Sequence, residues 1–99
     1  MNQPNQPQGQ QVQVKLPDDV LKGVYSNNMQ VMHTKEEFVL DFMNIFPPQG
    51  IVSARVLVSP QHFKRMVAAV NDNLKKYEDQ FGKIAESQQM EGGIGFRTE

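Results

Sequence analysis

The spacing of apolar residues predicts one long amphipathic helix over residues 59–82. Apolar side chains recur there at intervals of four, three, four, three and four, which place them along one side of a helix. These residues are Phe63, Val67, Val70, Leu74, Tyr77 and Phe81. The repeat lies nearer to 3.5 than to 3.6 residues and is typical of a helix that packs along another helix.

Both ends of this helix carry a recognisable signal. Ser59 is placed to cap the first turn by accepting a hydrogen bond from a backbone N–H. Pro60 then occupies the first helical position, where its missing N–H costs nothing. Gly82 stands where a residue in the left-handed conformation would end the helix.

Three strands are predicted upstream of the helix. Residues 24–33 alternate in polarity over about ten positions, although Asn27 and Asn28 weaken the middle of that run. Residues 51–58 are rich in β-branched side chains, which makes them the clearest strand. Short connections make the strands an antiparallel meander. We therefore predict an α+β fold in which a three-stranded meander is followed by one long C-terminal helix, in the order βββα.

Residues 37–46 are open to two interpretations. With period two, Phe38, Leu40 and Phe42 share one face of a strand. With period 3.6, the same run reads as a helix that Thr34 and Glu37 would start as a capping box. The run is short, aromatic-rich and stopped by two prolines, so we favour the strand.

The predicted fold leaves apolar surface uncovered. If the helix stripe covers one face of the sheet, the second face still presents Val39, Met43 and Leu57, and the sheet edges stay open. We therefore expect a homo-oligomer, in the first place a dimer, built on this face, on a sheet edge or on the helix stripe.

Composition divides the chain into three parts. Residues 1–15, rich in Gln, Asn and Pro, predict a disordered tail; residues 16–85 form a single domain, and residues 86–99 a flexible Gly-rich tail. A folded part of this size is marginal without a disulfide, a metal or a partner, and the chain has no cysteine. Since it shows neither an apolar run of about 20 residues nor a secretory signal, we expect a soluble cytoplasmic protein without a membrane partner.

The sequence contains few residues in patterns that suggest catalysis or metal binding. His33 and His62 stand alone, without a second ligand at metal-binding spacing. Glu36 and Glu37 point to opposite faces of a strand, so they would not act as a catalytic pair. No catalytic, metal or cofactor-binding residue is predicted, and we expect the protein not to be an enzyme.

Asp41 differs from the other carboxylates because it interrupts an apolar run. Arg55 lies on the neighbouring predicted strand, so we expect these two residues to form a structural cross-strand ion pair.

Two segments, YSNNMQVMHTKEEFVLDF and ARVLVSPQHFKRMVAAVNDNLKKYEDQFGKI, resemble the family DUF3467, small bacterial and archaeal proteins of unknown function. The residues that carry the resemblance are Tyr25, Asn28, Val31, Glu37, Phe38, Leu40, Asp41, Phe42, Arg55, Val56, Ser59, Pro60, His62, Lys64, Asn73, Leu74, Tyr77, Glu78, Phe81, Gly82 and Ile84. It extends over residues 24–84 and implies no assigned activity. The element order also looks like the bacterial export chaperone fold, a likeness of shape that is weak warrant for function.

The functional interpretation that we favour is a small, non-enzymatic, oligomerising protein–protein interaction module. One alternative is a chaperone-like binder of extended polypeptide on the sheet face. Another is a weak nucleic-acid binder using Lys64, Lys75 and Lys76. The net charge of −1 and the acidic residues among these lysines argue against this last alternative.

Overall fold

A computed structural model describes the chain from residue 11 to residue 86. Its helices and strands, in chain order, are α1 (Asp18–Leu21), β1 (Asn28–His33), β2 (Phe38–Phe46), β3 (Gln49–Val58) and α2 (Pro60–Phe81). The predicted α+β fold, an antiparallel meander followed by a long helix, is confirmed. The tails predicted for residues 1–15 and 86–99 lie largely outside the described residues.

The chain divides into two compact units, the first ending at Leu57 and the second starting at Val58. The sheet belongs to the first unit and α2 to the second. Between residues 11 and 86, neither helix is both long and apolar enough to cross a membrane.

The sheet has the order β1-β2-β3, so β2 is its central strand. β1 and β2 pair antiparallel, with Asn28 opposite Met43 at one end and His33 opposite Phe38 at the other. The strand interpretation of residues 38–46 is therefore confirmed. Because β2 has a partner on each side, both edges of its backbone are hydrogen-bonded within the sheet.

Thr34 explains why a helix start seemed possible before β2. Its Oγ1 accepts hydrogen bonds from the backbone N–H groups of Glu36 at 3.1 Å and Glu37 at 3.3 Å. Its own backbone N–H donates to the carbonyl of Glu37 at 3.0 Å. The hydroxyl that would cap a helix thus closes the tight β1–β2 connection instead, because a Ser or Thr side chain serves both turns and caps.

β1 begins later than the sequence predicts, at Asn28 instead of residue 24. The side-chain amide of Asn27 takes the place of a ladder pair: its Nδ2 donates to the Ile45 carbonyl at 3.1 Å, and its Oδ1 accepts from the Ile45 N–H at 2.9 Å. Ser26 Oγ similarly lies within hydrogen-bond distance of the Met43 carbonyl, at 3.0 Å. Side chains that bond to backbone compete with strand pairing, so the predicted ten-residue strand is shortened to six.

The β2–β3 connection consists of Pro47 and Pro48, joined by a cis peptide bond. Gln49 and Gly50, which precede the strand predicted over residues 51–58, already belong to β3. The buried apolar residues of the described chain, Leu40 and Met43, both lie on β2. The central strand therefore holds the core of the sheet.

The N-terminus of α2 matches the prediction. Ser59 Oγ accepts a hydrogen bond from the His62 backbone N–H at 3.1 Å, and Pro60 occupies the first turn. This bond satisfies one of the N–H groups that a helix start leaves without a partner.

The C-terminus of α2 ends on glycine, but in a different conformation from the one predicted. Gly82 has φ 99° and ψ 162°, so its φ is positive while its ψ lies outside the left-handed helical region. Its N–H donates to the Glu78 carbonyl at 2.9 Å. Glu78 Oε2 then accepts from the backbone N–H of Ile84 at 2.9 Å, which secures the chain just after the helix.

Candidate interaction surface

The predicted apolar stripe of α2 is accessible. No residue of the helix is buried. Five residues of the stripe keep between 44% and 66% of their surface exposed: Val67, Val70, Leu74, Tyr77 and Phe81. The sixth, Phe63, is half-buried. Solvent-facing apolar residues are ordinary one at a time, but a continuous row of them marks a surface suited to a partner.

The aromatic end of the stripe is ordered by a ring contact. The Tyr77 and Phe81 rings lie with their centroids 4.9 Å apart at an angle of 44°. Residues four apart on a helix lie one turn above the other, and aromatic pairs prefer offset or tilted geometry. The last turn of α2 therefore presents two aromatic side chains as one apolar unit.

The opposite side of α2 carries ion pairs within the helix. Lys75 Nζ lies 2.9 Å from Asp79 Oδ2, and Lys76 Nζ lies 3.1 Å from Asp72 Oδ2, each pair spanning one helical turn. Such exposed pairs add only about 0.3–0.5 kcal/mol each to helix stability. Lys75 and Lys76 were also candidates for binding nucleic acid. Because each is paired with an aspartate, less positive charge is left for phosphate groups, which weakens the nucleic-acid interpretation.

Asp41 and Arg55 form a bidentate pair on the sheet. Arg55 Nε donates to Asp41 Oδ1 at 2.7 Å and Nη2 donates to Oδ2 at 2.8 Å. The Asp41 side chain is 0% exposed, whereas that of Arg55 keeps 54% of its surface in solvent. Two parallel hydrogen bonds between charged groups are the strongest geometry open to such a pair.

This pairing shifts the pKa values of both Asp41 and Arg55. The hydrogen bonds from Arg55 hold the pKa of Asp41 below its ordinary value; burial opposes this shift, and the positive charge of Arg55 adds to it. The same hydrogen bonds, together with the charge of Asp41, raise the pKa of Arg55. The carboxylate is therefore held in its charged form, and each of its two oxygens accepts a hydrogen bond from Arg55.

The residues predicted for an interface on the sheet differ in accessibility. Met43 is 3% exposed, Val39 is half-buried and Leu57 is exposed. Because side chains alternate along a strand, Asp41 lies on the same face as Val39 and Met43 and between them. That part of the sheet therefore combines a buried carboxylate with a buried and a half-buried apolar side chain, and the α2 stripe is the more continuous exposed apolar surface.

The two histidines occupy structural positions. The His33 ring lies 5.4 Å from the Phe38 ring across β1 and β2. His62 contributes its backbone N–H to the cap of α2. Within residues 11–86, no three His, Cys, Asp or Glu side chains are grouped as a metal ion would require.

Sequence reasoning missed a polar cluster that fastens the segment before β1. Asn44 Nδ2 lies within hydrogen-bond distance of the Tyr25 carbonyl at 2.9 Å and of Ser53 Oγ at 3.0 Å, next to the Asn27–Ile45 bonds. Asn44 Oδ1 is buried without a hydrogen-bond partner. The run Ser26-Asn27-Asn28 was the available signal, since these residue types bond to nearby backbone.

Comparison with known proteins gives one match. The family model described as "Protein of unknown function (DUF3467)" matches residues 1–86. No curated protein and no solved structure matches the chain.

Proposed function

Because the chain belongs to DUF3467, a family of unknown function, we propose that it acts as a small, non-enzymatic interaction module that associates with itself through α2. The exposed part of the stripe, from Val67 to Phe81, would form the contact. Further protein partners would then bind the assembled form.

The observation that carries this proposal is the exposure of α2. The helix has 22 residues without a buried one, yet it carries a regular apolar row. Helices of globular proteins gain most of their stability by packing their apolar face, and short isolated helices are marginal in water. A second apolar helix face would supply that packing.

The energetics are compatible with a reversible dimer. Complete burial of a Val, Leu or Phe side chain is worth about 1.5–3 kcal/mol, and roughly half of that is still to be gained by the exposed stripe residues. Two copies contribute about ten such residues, whereas association costs about 4–15 kcal/mol in lost motion. The apolar gain of about 8–15 kcal/mol leaves the roughly 8 kcal/mol that a micromolar dimer needs only when the cost lies near the low end of its range, so we expect a reversible dimer.

The test is a pair of variants with matched charge. Val70→Glu/Leu74→Glu places two carboxylates within the stripe, whereas Ala68→Glu/Ala69→Glu places two on exposed positions outside it. Analytical ultracentrifugation should show the parent chain and the Ala68/Ala69 variant as oligomers and the Val70/Leu74 variant as a monomer. A monomeric parent chain at micromolar concentration overturns the proposal.

A further inference from the structure

We infer that the occupant of the α2 stripe is a second copy of this chain whose α2 runs antiparallel, with the two-fold axis close to Asp72. This inference rests on the proposed function and adds to it the partner, the direction and the register. It is carried by two features of α2: the order of the apolar residues and the charges that flank them.

The apolar residues match one another when the helix is reversed. In a packed helix pair, two apolar positions per seven residues form the seam. About an antiparallel axis at residue 72, Val70 of one copy faces Leu74 of the other, and Val67 faces Tyr77. These two central layers each combine a smaller with a larger side chain, which fills a seam evenly, whereas the outermost layer pairs Phe63 with Phe81.

The charges that flank the stripe are complementary only in this direction. Lys64 lies beside the first turn of the stripe and Glu78, on the same flank, beside its last turn. Positions on one flank face each other across an antiparallel pair, so Lys64 of one copy meets Glu78 of the second, twice by symmetry. Asn71 lies between them and meets its own counterpart, which adds no repulsion.

A parallel arrangement lacks this pairing. There each flank faces the opposite flank of the partner, and Glu78 would lie near Asn73 while Lys64 would lie near Ser59. Both helix N-termini would also lie together, whereas antiparallel helices set each positive end beside a negative end.

The remaining charges of α2 do not favour either direction. Asp72, Lys75, Lys76 and Asp79 are already paired within the helix, on the side away from the stripe. Glu78, by contrast, lies beside the stripe, and its Oε2 is held by the Ile84 N–H. This bond positions the carboxylate at the end of the helix where Lys64 of the second copy would arrive.

Cysteine cross-linking distinguishes the directions, because the chain has no cysteine of its own. Val70→Cys and Leu74→Cys are made separately, mixed, oxidised and identified by intact mass. The antiparallel register predicts the mixed disulfide as the main product, since residue 70 then faces residue 74. Homodisulfides of each variant alone indicate a parallel dimer, which overturns the inference while the proposed function stands.

Charge exchange gives a second readout. Lys64→Glu should weaken dimerisation roughly tenfold, because it sets like charges together at two symmetric sites. Lys64→Glu/Glu78→Lys should recover the parent dissociation constant, and Lys75→Glu, away from the stripe, should leave it unchanged. A dimer that shows neither cross-link and ignores the charge exchange uses another surface, which overturns the inference. A parent chain that sediments as a monomer overturns the proposed function itself.

Discussion

Asp41 is a charged residue whose side chain is fully buried. Its side chain is withdrawn from solvent on the central strand, and both carboxylate oxygens accept from one guanidinium, at 2.7 and 2.8 Å. A buried ion pair is not by itself a source of stability, but removing one partner leaves the other group uncompensated. The half-exposed Arg55 lowers this cost by keeping part of its charge in water.

Asp41→Asn should destabilise the fold at neutral pH, because it removes the charge that Arg55 pairs with. The pKa of Asp41 is lowered on folding, so the carboxylate adds stability above its ordinary value near 3.9, and this stability is lost as the pH falls through the lowered pKa. Urea unfolding should therefore separate parent and variant at pH 7, and the difference should begin to shrink below about pH 4 and vanish only below the lowered pKa of Asp41. Asp79→Asn, which removes an exposed pair, is the control; an Asp41→Asn chain as stable as the parent at pH 7 contradicts the structural role.

At the scale of elements, α2 is specified almost entirely by its own sequence. The cap, the proline in the first turn and the terminal glycine act within a few residues of chain. β1 behaves differently, because its start depends on Asn27 bonding to Ile45, eighteen residues away. The ends of a helix can therefore be predicted from a few neighbouring residues, whereas the end of a strand depends on the hydrogen bonds that it can form with its partner strand.

Ser59→Ala should lower the free energy of unfolding by about 1 kcal/mol, because the His62 N–H loses its acceptor. Ser59→Asp should keep most of that stability, since a carboxylate also caps and favours the helix N-terminus. Urea titration followed by circular dichroism measures both. Equal loss in the two variants would show that the hydroxyl does not cap α2.

For the molecule as a whole, the decisive feature is how little apolar surface the described residues bury. Leu40 and Met43 are the buried apolar residues between positions 11 and 86, and most of the apolar row on α2 remains exposed. Folding stability is a small difference between burial and ordering entropy, so a chain with few buried residues depends on further burial. Self-association through α2 would provide it.

The unfolding temperature should therefore rise with protein concentration, because a dimer is favoured over its unfolded monomers by mass action. Thermal unfolding followed over a roughly hundredfold range of concentration should show the shift in the parent chain. In Val70→Glu/Leu74→Glu the midpoint should be lower and independent of concentration. A parent midpoint that does not move with concentration contradicts an association coupled to folding.

The amino-acid sequence is enough to predict those features that depend on interactions between residues close together in the chain. The ends of α2 follow from capping and from the conformational freedom of Gly82, and the stripe follows from helical periodicity. The pairing of Asp41 with Arg55 was also predictable, because a carboxylate within an apolar run needs an opposite charge on a neighbouring strand. The family resemblance stated from two segments is likewise confirmed over residues 1–86.

Contacts between distant parts of the chain set where side chains replaced backbone pairing and which apolar residues were buried. The Thr34 hydroxyl can close a hairpin or cap a helix equally well, and residues 38–46 form a strand because they pair with β1. The late start of β1 required a hydrogen bond between Asn27 and Ile45, and the burial of Met43 but not of Leu57 depended on their surroundings. The physical reason is the same in each case: long-range contacts outweigh local preferences that differ by less than about 1 kcal/mol.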